Sequence, residues 1–214
     1  MDGFLSDLQV LGPGLGTALQ LAGLSLALAY VLGLVLALLV DARHQIVRIA
    51  ALVVIEVGRG LPLLVILYLI YRGLPQAGLY LDPMPAAVVG FTWSIGAYAS
   101  EIMRSSLNAV PPGQREAAAA LGLAPRSAYR DVLLPQAARI AVPPLMNLAI
   151  KAFQLTSLAY TITLSEVMQA AYLRGSVTFE YLRTFVAAAV LYAAVAIVAS
   201  LLVRRFERRL NRHV

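Results

Sequence analysis

Residues 113–136 read GQREAAAALGLAPRSAYRDVLLPQ, a polar stretch that lies between long apolar segments. Its alanine run has the highest intrinsic helix propensity, although alanine side chains bury almost no surface of their own. Such a helix suits a position where another surface has to approach its backbone closely. The stretch predicts a helix over 114–121 and a second helix that begins at Pro125 and is closed off by Pro135.

The turn between these two helices depends on Gly122. A glycine just after a helix commonly takes the left-handed conformation that closes it, so we expect a positive φ at Gly122. Glu116 is predicted in the first helical turn, where the helix dipole favours an anion. A helix of about two turns is marginal alone in water, so a partner or the membrane surface must hold it. The residues by themselves leave both alternatives open: an amphipathic segment on lipid headgroups, or a docking element.

The composition of the chain predicts a membrane protein. Of its 214 residues, 60% are hydrophobic and 13% are charged, and the mean hydropathy is +0.79. Soluble domains have about a quarter of their residues charged. Five apolar runs are about as long as the ~18–20 residues that cross a bilayer: 17–40, 49–71, 84–103, 141–164 and 185–203. We therefore predict an all-α integral membrane protein of five transmembrane helices, built as a single domain over 1–214.

The distribution of positive charge predicts the orientation, because lysine and arginine concentrate in cytoplasmic loops. With the amino terminus outside and the carboxyl terminus in the cytoplasm, most of the 17 lysine and arginine residues fall on the cytoplasmic side, and Arg72, Arg174 and Arg183 fall outside. Residues 104–140 then form a cytoplasmic loop. The net charge of +6 is explained by this orientation, and we expect no nucleic-acid partner.

The residues that enzymes use are scarce in this chain. Lys151 is its only lysine and is preceded by Ile150, so a Gly-x-x-x-x-Gly-Lys phosphate loop is excluded. The chain has no cysteine, and its two histidines, His44 and His213, belong to no cluster of metal ligands. We expect no catalytic site, no metal site and no cofactor in this chain. Any ATP hydrolysis that serves it must occur on another protein.

Polar residues inside the apolar runs are the candidates for a functional path, because a charge at the bilayer centre costs about 2.5–3.5 kcal/mol. Glu56 and Arg59 lie three residues apart and can pair on one helix face. In the fourth run a polar stripe recurs at helical spacing: Asn147, Lys151, Gln154, Ser157 and Thr161. The stripe and the pair fit either hydrogen bonding between helices or a wetted translocation path, and the role of Glu101 stays open.

The ordered series of segments resembles the permeases of ABC importers, and within them the polar amino-acid branch (histidine, glutamine, glutamate, arginine or opine type). The quoted stretch is similar to their cytoplasmic EAA loop, in which Glu-Ala-Ala is followed by glycine and by a hydrophobic pair with proline. The matching residues here are Glu116, Ala117, Ala118, Gly122, Leu134 and Pro135. GLGTALQLAGLSLALAYVLGLVLAL, IEVGRGLPLLVILYLIYRGLP and GAYASEIMRSSLNAVPPGQREAA resemble further segments of the family, so the likeness covers nearly the whole chain.

This resemblance implies a type I importer fold and a division of labour between subunits. Two permeases, identical or related, would surround a pathway for a small polar amino acid in the inner membrane of a bacterium. Two copies of a cytoplasmic subunit would bind ATP and Mg²⁺, and an external binding protein would deliver the substrate. The residues implied to couple with the ATPase are Gln114, Glu116, Ala117, Ala118, Gly122, Arg126 and Pro135. The expected substrate path comprises Glu56, Arg59, Asn147, Lys151, Gln154, Thr156 and Ser157.

Two departures from the family pattern bear on the substrate. The family has Arg-Gly-Thr-Pro where this chain has Leu61 before Pro62, and it has Lys-Asp-Thr-Ser-Leu where this chain has Gln154 and Leu155. The alternative function is a secondary transporter or channel that uses Glu56, Arg59 and Lys151 as an ion relay. The cytoplasmic double helix discriminates between the two, because a self-sufficient carrier does not need it.

Overall fold

The computed structural model describes residues 2–210, so Arg212 and His213 lie outside the described residues. Within that part the chain is helical, as predicted. The α-helices are α1 (Asp2–Val40), α2 (Gln45–Gly60), α3 (Leu63–Tyr68), α4 (Pro83–Asn108), α5 (Pro112–Ala120), α6 (Pro125–Ser127), α7 (Leu134–Leu155), α8 (Val167–Thr178) and α9 (Tyr181–Leu210). A π-turn (Leu69–Gly73) and a 3₁₀ turn (Leu74–Ala77) extend α3, and a second π-turn (Ala128–Leu133) joins α6 to α7.

Two of the described helices are long and apolar enough to span a membrane by themselves, over Gly3–Val40 and Tyr181–Arg208. The apolar run over 49–71 is not one continuous helix, because the chain bends by 106° between Gln45–Gly60 and Leu63–Ala77. Pro62 causes the break: it forces the preceding Leu61 into an extended conformation, with φ −83° and ψ 136°. If this bent pair is one span, the number of described segments that could cross a membrane rises to three. The number five stays a prediction.

The fourth apolar run also differs from the predicted helix over 141–164. α7 begins earlier, at Leu134, ends at Leu155 and continues as a 3₁₀ helix over Thr156–Ile162. Three hydroxyl groups there donate to the carbonyl three residues back: Thr156 to Phe153, Ser157 to Gln154, and Thr161 to Leu158. Such bonds compete with the α-helical pattern and favour the tighter turn. α8, which follows, is absent from the sequence-based prediction.

α4 lies at the centre of the bundle, against α1, α2 and α7. It packs most extensively on α1, where two glycines allow close approach. A Cβ atom added at Gly33 would lie 2.9 Å from the carbonyl oxygen of Gly96, and one added at Gly96 would lie 3.1 Å from the carbonyl oxygen of Ala29. Phe91 and Ile95 of α4 fill the adjoining core. The centre of the bundle is therefore fixed by backbone contact as well as by side chains.

The amino-terminal end of α1 is joined to α8 and α9 by buried polar groups that sequence reasoning missed. Asp7 is fully buried and pairs with Arg174 Nε at 3.1 Å and Arg183 Nε at 2.7 Å. Glu166, also fully buried, accepts hydrogen bonds from the backbone amides of Met168 and Gln169 and from the hydroxyl of Tyr192. The Asp7 pairs connect α1 with α8 and α9, and the bond from Tyr192 connects the start of α8 with α9.

Candidate functional site

The first short helix of the polar loop is α5, which begins two residues earlier than predicted. Glu116 therefore lies in its second turn, and the prediction that it occupies the first turn is wrong because Pro112, pre-set for a first helical position, starts the helix. Gly122 has φ +69°, which confirms the predicted left-handed conformation. The Gly122 amide donates to Ala119 O at 2.9 Å and the Leu123 amide to Ala118 O at 3.1 Å. This pair of bonds is a Schellman closure of α5.

α5 has one face held by the protein and the rest exposed. Ala118 is only 2% exposed, and Gln136 Nε2 of α7 donates to Gln114 Oε1 at 3.1 Å. Ala118 thus anchors α5 to the chain. The other residues predicted to couple with a partner are exposed: Gln114, Glu116, Ala117, Gly122, Arg126 and Pro135. Farther along the loop, Arg130 pairs with Asp131 and holds the pKa of that carboxyl below its usual value.

The second short helix does not end at Pro135, contrary to the prediction. α6 runs through the π-turn of residues 128–133 directly into α7, and Pro135 lies in the first turn of α7. Pro135 has no backbone amide to donate, so one hydrogen bond of the helical ladder is missing there, although the backbone remains helical. One uninterrupted helical segment therefore extends from residue 125, beside α5, to residue 155 within the fourth apolar run.

Arg59 stands at the centre of a charged network between α2 and α4. Its Nη1 lies 3.7 Å from Glu56 Oε1, the pair that the sequence predicts, and only 3.3 Å from Glu101 Oε2. Glu101 also accepts a hydrogen bond from Arg104. Tyr98 donates through its hydroxyl to the carbonyl of Arg59 at 3.2 Å, and the guanidinium carbon lies 5.9 Å from the centre of the Tyr98 ring. Glu101, whose role the sequence leaves open, thus contacts both Arg59 and Arg104.

A cavity of about 440 Å³ opens beside this network. Arg59, Tyr98 and Glu101 line one wall, and Pro144 of α7 lines the other. The next residues on that face of α7, at spacings of three and four, are Asn147, Lys151 and Gln154, and all three side chains are exposed. We call the surface formed by exposed Glu56, Tyr98, Pro144, Asn147, Lys151 and Gln154 and by half-buried Arg59 and Glu101 the polar face.

The remaining residues of the predicted path lie beyond the end of α7. Thr156 is fully buried, and its hydroxyl donates to Phe153 O at 2.6 Å. Ser157 is half-buried and donates to Gln154 O at 2.9 Å. The predicted α-helical stripe through Thr161 is wrong, because the chain has become a 3₁₀ helix there. The polar face on α7 therefore ends at Gln154, and Thr156 packs behind it.

Comparison with known proteins gives matches over nearly the whole chain. The family described as "Binding-protein-dependent transport system inner membrane component" matches residues 29–212. The probable amino-acid ABC transporter permease protein YckA of Bacillus subtilis (strain 168) is 34% identical over 201 residues, which cover 94% of this chain and 89% of YckA. The glutamine transport system permease protein GlnP of Escherichia coli (strain K12) is 37% identical over 200 residues, which cover 92% and 91%.

A solved structure, the crystal structure of an amino acid ABC transporter with histidines, superimposes with a TM-score of 0.93. It is 34% identical in sequence, and the alignment covers 96% of this chain and 98% of that one. The family match over residues 29–212 includes α5, the π-turn, α7 and the polar face. The resemblance first seen in the quoted stretch is thereby confirmed in sequence and in fold.

Proposed function

Since this chain belongs to the family of binding-protein-dependent transport system inner membrane components, we propose that it is the membrane-spanning permease subunit of an ATP-driven importer of polar amino acids or opine-like derivatives. The observation that carries the proposal is the helical segment from residue 125 to residue 155, which joins the exposed loop to the polar face. Relatives named as amino-acid and glutamine permeases support the substrate class.

The proposed topology has five spans, with the amino terminus outside and residues 104–140 in the cytoplasm of a bacterium. The positive charge of the loops and the apolar length of α1 and α9 support it. The chain has no cysteine, so single cysteines can report the side. We expect a cysteine at exposed Ala119 to react with an impermeant thiol reagent only in inverted vesicles, and one at exposed Gln76 to react in intact cells. Reaction of the Ala119 cysteine variant in intact cells would show that the orientation is the opposite of the one proposed.

In this proposal the partners divide between the two sides of the membrane. α5 docks in a cleft of a cytoplasmic ATP-binding subunit, which carries ATP and Mg²⁺, and its alanines let the partner approach the backbone. A second permease, identical or related, and a second ATP-binding subunit complete the complex, and an external binding protein delivers the substrate. When the ATPases close, α5 moves with them. The helical segment into α7 carries that movement to the polar face.

Coupling through this loop makes Gly122 a sensitive position. At φ +69° the Gly122→Val variant places a β-branched side chain in the left-handed region, which costs roughly 1–2 kcal/mol and displaces α5 from α6. We expect normal amounts of complex in the membrane and an at least fivefold loss of the ATPase stimulation caused by loaded binding protein. Gly122→Asn, which tolerates this conformation, is the matched control and should retain most of the stimulation. Normal stimulation in the valine variant would contradict the docking geometry.

Lys151 is proposed to accompany the substrate along the polar face. Within residues 2–210 its exposed side chain forms no ion pair, whereas Arg59 is partly neutralised by Glu56 and Glu101. An amino-acid carboxylate that enters a region of low dielectric constant needs a cation or several donors to offset its lost hydration. Lys151, Gln154 one turn farther along α7, and Asn147 one turn before it can supply them.

The Lys151→Met variant tests this function. We expect uptake of the amino acid by reconstituted vesicles to fall at least tenfold, while complex yield and basal ATPase stay normal, because methionine keeps the length and removes the charge. Arg59→Met, by contrast, should also reduce complex yield, since it leaves Glu56 without its cation and Glu101 with Arg104 alone. Full uptake by Lys151→Met would show that Lys151 is not part of the substrate path. Uptake by the wild-type complex with an ion gradient and without ATP would support the ion-relay alternative in place of the importer.

A further inference from the structure

A narrow apolar cavity of about 270 Å³ lies on the side of α4 away from the polar face, between α1 and α7. We call it the slot. Its walls include Leu34, Leu38, Met103, Leu107, Ala138 and Val142. Leu145 also lines it, and the carbonyl of Leu145 accepts a hydrogen bond at 2.7 Å from the hydroxyl of Tyr30, which joins α1 to α7. From there the slot extends along both helices toward the end of α1, where Asp41 lies.

A second, more polar cavity of about 550 Å³ adjoins the slot, and we call it the basin. The two cavities have Asp41, Leu107 and Tyr129 in common. The basin lies under α5, and Arg115 and Ala119 of that helix line it. The charged residues among its described lining are Arg115 and Asp41. Arg104 lines the slot, but it already donates to Glu101. Among the described residues that line the two cavities, Arg115 of the basin is therefore the cation, and Asp41 the anion, that form no ion pair.

We propose that the slot and the basin together bind one membrane phospholipid whose headgroup carries a primary amine. One acyl chain occupies the slot, the phosphate lies at Arg115 and the ammonium group lies at Asp41. The opposite charges of the mouth match the opposite charges of such a headgroup. The position of the basin under α5, in the cytoplasmic loop of the topology proposed above, puts this lipid in the inner leaflet, and that assignment rests on the proposed function.

The headgroup, more than the acyl chain, decides which lipid binds. Lipid tails are as apolar as the leucine side chains of the slot, so placing a chain there gains little over the surrounding bilayer. A charge-assisted hydrogen bond from an ammonium N–H to a carboxylate is about twice as strong as a neutral one. Phosphatidylcholine has no N–H to donate, and phosphatidylglycerol has no ammonium group. Phosphatidylethanolamine satisfies both Arg115 and Asp41.

Native mass spectrometry of the full chain, purified in detergent with the subunits that accompany it, tests this site. The probes are palmitoyl-oleoyl phosphatidylethanolamine, phosphatidylcholine and phosphatidylglycerol, each titrated separately. We expect phosphatidylethanolamine to bind at least fivefold more tightly than the other two. Asp41→Asn should abolish its preference over phosphatidylcholine, and Arg115→Ala should weaken binding of all three lipids. Arg139→Ala, an exposed arginine of α7 that lines neither cavity, is the matched control and should change nothing.

A second variant, with a bulky side chain in the slot, tests whether an acyl chain occupies it. Ala138→Trp should reduce retention of phosphatidylethanolamine at least tenfold, because the indole occupies the space of the acyl chain. Equal binding of the three lipids by the wild type, or an unchanged preference in Asp41→Asn, would overturn the proposal. Asp41 and Arg115 are exposed, so their variants fold even if Ala138→Trp does not. The measured quantity is lipid binding and not uptake. A failure of the lipid proposal can therefore be distinguished from a failure of the transport proposal.

Discussion

Replacing Glu166 with alanine is expected to lower the free energy of unfolding by about 3 kcal/mol or more, because three buried hydrogen-bond donors lose their acceptor. Glu166 is fully buried, and its carboxylate is the N-cap of α8. It accepts from the amides of Met168 at 2.8 Å and Gln169 at 2.9 Å, and from the hydroxyl of Tyr192. Alanine leaves these three donors without a partner, and each buried unsatisfied donor costs roughly 1–3 kcal/mol.

Thermal unfolding of the purified chain in detergent measures this effect. For a protein of this size 1 kcal/mol corresponds to about 2–4 °C, so we expect the midpoint to fall by roughly 10 °C or the yield to collapse. Glu180→Ala is the control, because Glu180 is an exposed carboxylate that pairs with Arg183 at the surface, and such pairs contribute at most about 1 kcal/mol. A Glu166→Ala midpoint within 2 °C of the wild type would show that the cap is not needed.

Replacing Gly14 with valine is expected to destabilise the protein at least as much as Glu166→Ala, because it separates α1 from α8. A Cβ atom at position 14 would lie 2.6 Å from Glu166 C and 2.6 Å from Val167 N, closer than such atoms approach one another in proteins. Both are backbone atoms at the start of α8, so no side-chain rotation can relieve the clash. The helices must move apart, and that movement opens the core formed by Leu11 and Val167 and disrupts the Glu166 cap.

The matched control is Gly16→Val, two residues along the same helix. Among the described residues, a Cβ at Gly16 would meet no atom within 4 Å, and valine is intrinsically a better helix former than glycine. We expect normal membrane levels for Gly16→Val and a severe loss of folded protein for Gly14→Val, measured by detergent extraction and size-exclusion chromatography. Because Gly14 and Glu166 are in contact, the double variant should be less destabilised than the sum of the two single variants. Equal levels of both valine variants would refute the contact.

Local features of the polar loop were predictable because they depend on neighbours along the chain. Gly122 takes a positive φ because it follows a helix that ends there, and the Schellman bonds that fix it join residues at most five apart. The same holds for the proximity of Glu56 and Arg59, which lie one helical turn apart. Pro135 misled the prediction, since a proline that ends a helix and a proline in the first turn of the next one look alike in sequence. The π-turn before it decides between the two readings.

The sequence by itself determined that this is a helical membrane protein of its family, because apolar length, charge distribution and an ordered series of motifs are properties of the chain alone. Only the tertiary structure decided which distant charged groups meet: Arg59 pairs with Glu101 of another helix, and buried Asp7 pairs with Arg174, 167 residues away. The physical reason is that these pairs form where helices cross, and the crossings follow from packing such as that of Gly14 on Glu166 and Gly33 on Gly96. A helical repeat specifies which residues share a face, whereas the neighbour of that face is selected by the shapes of all the helices together.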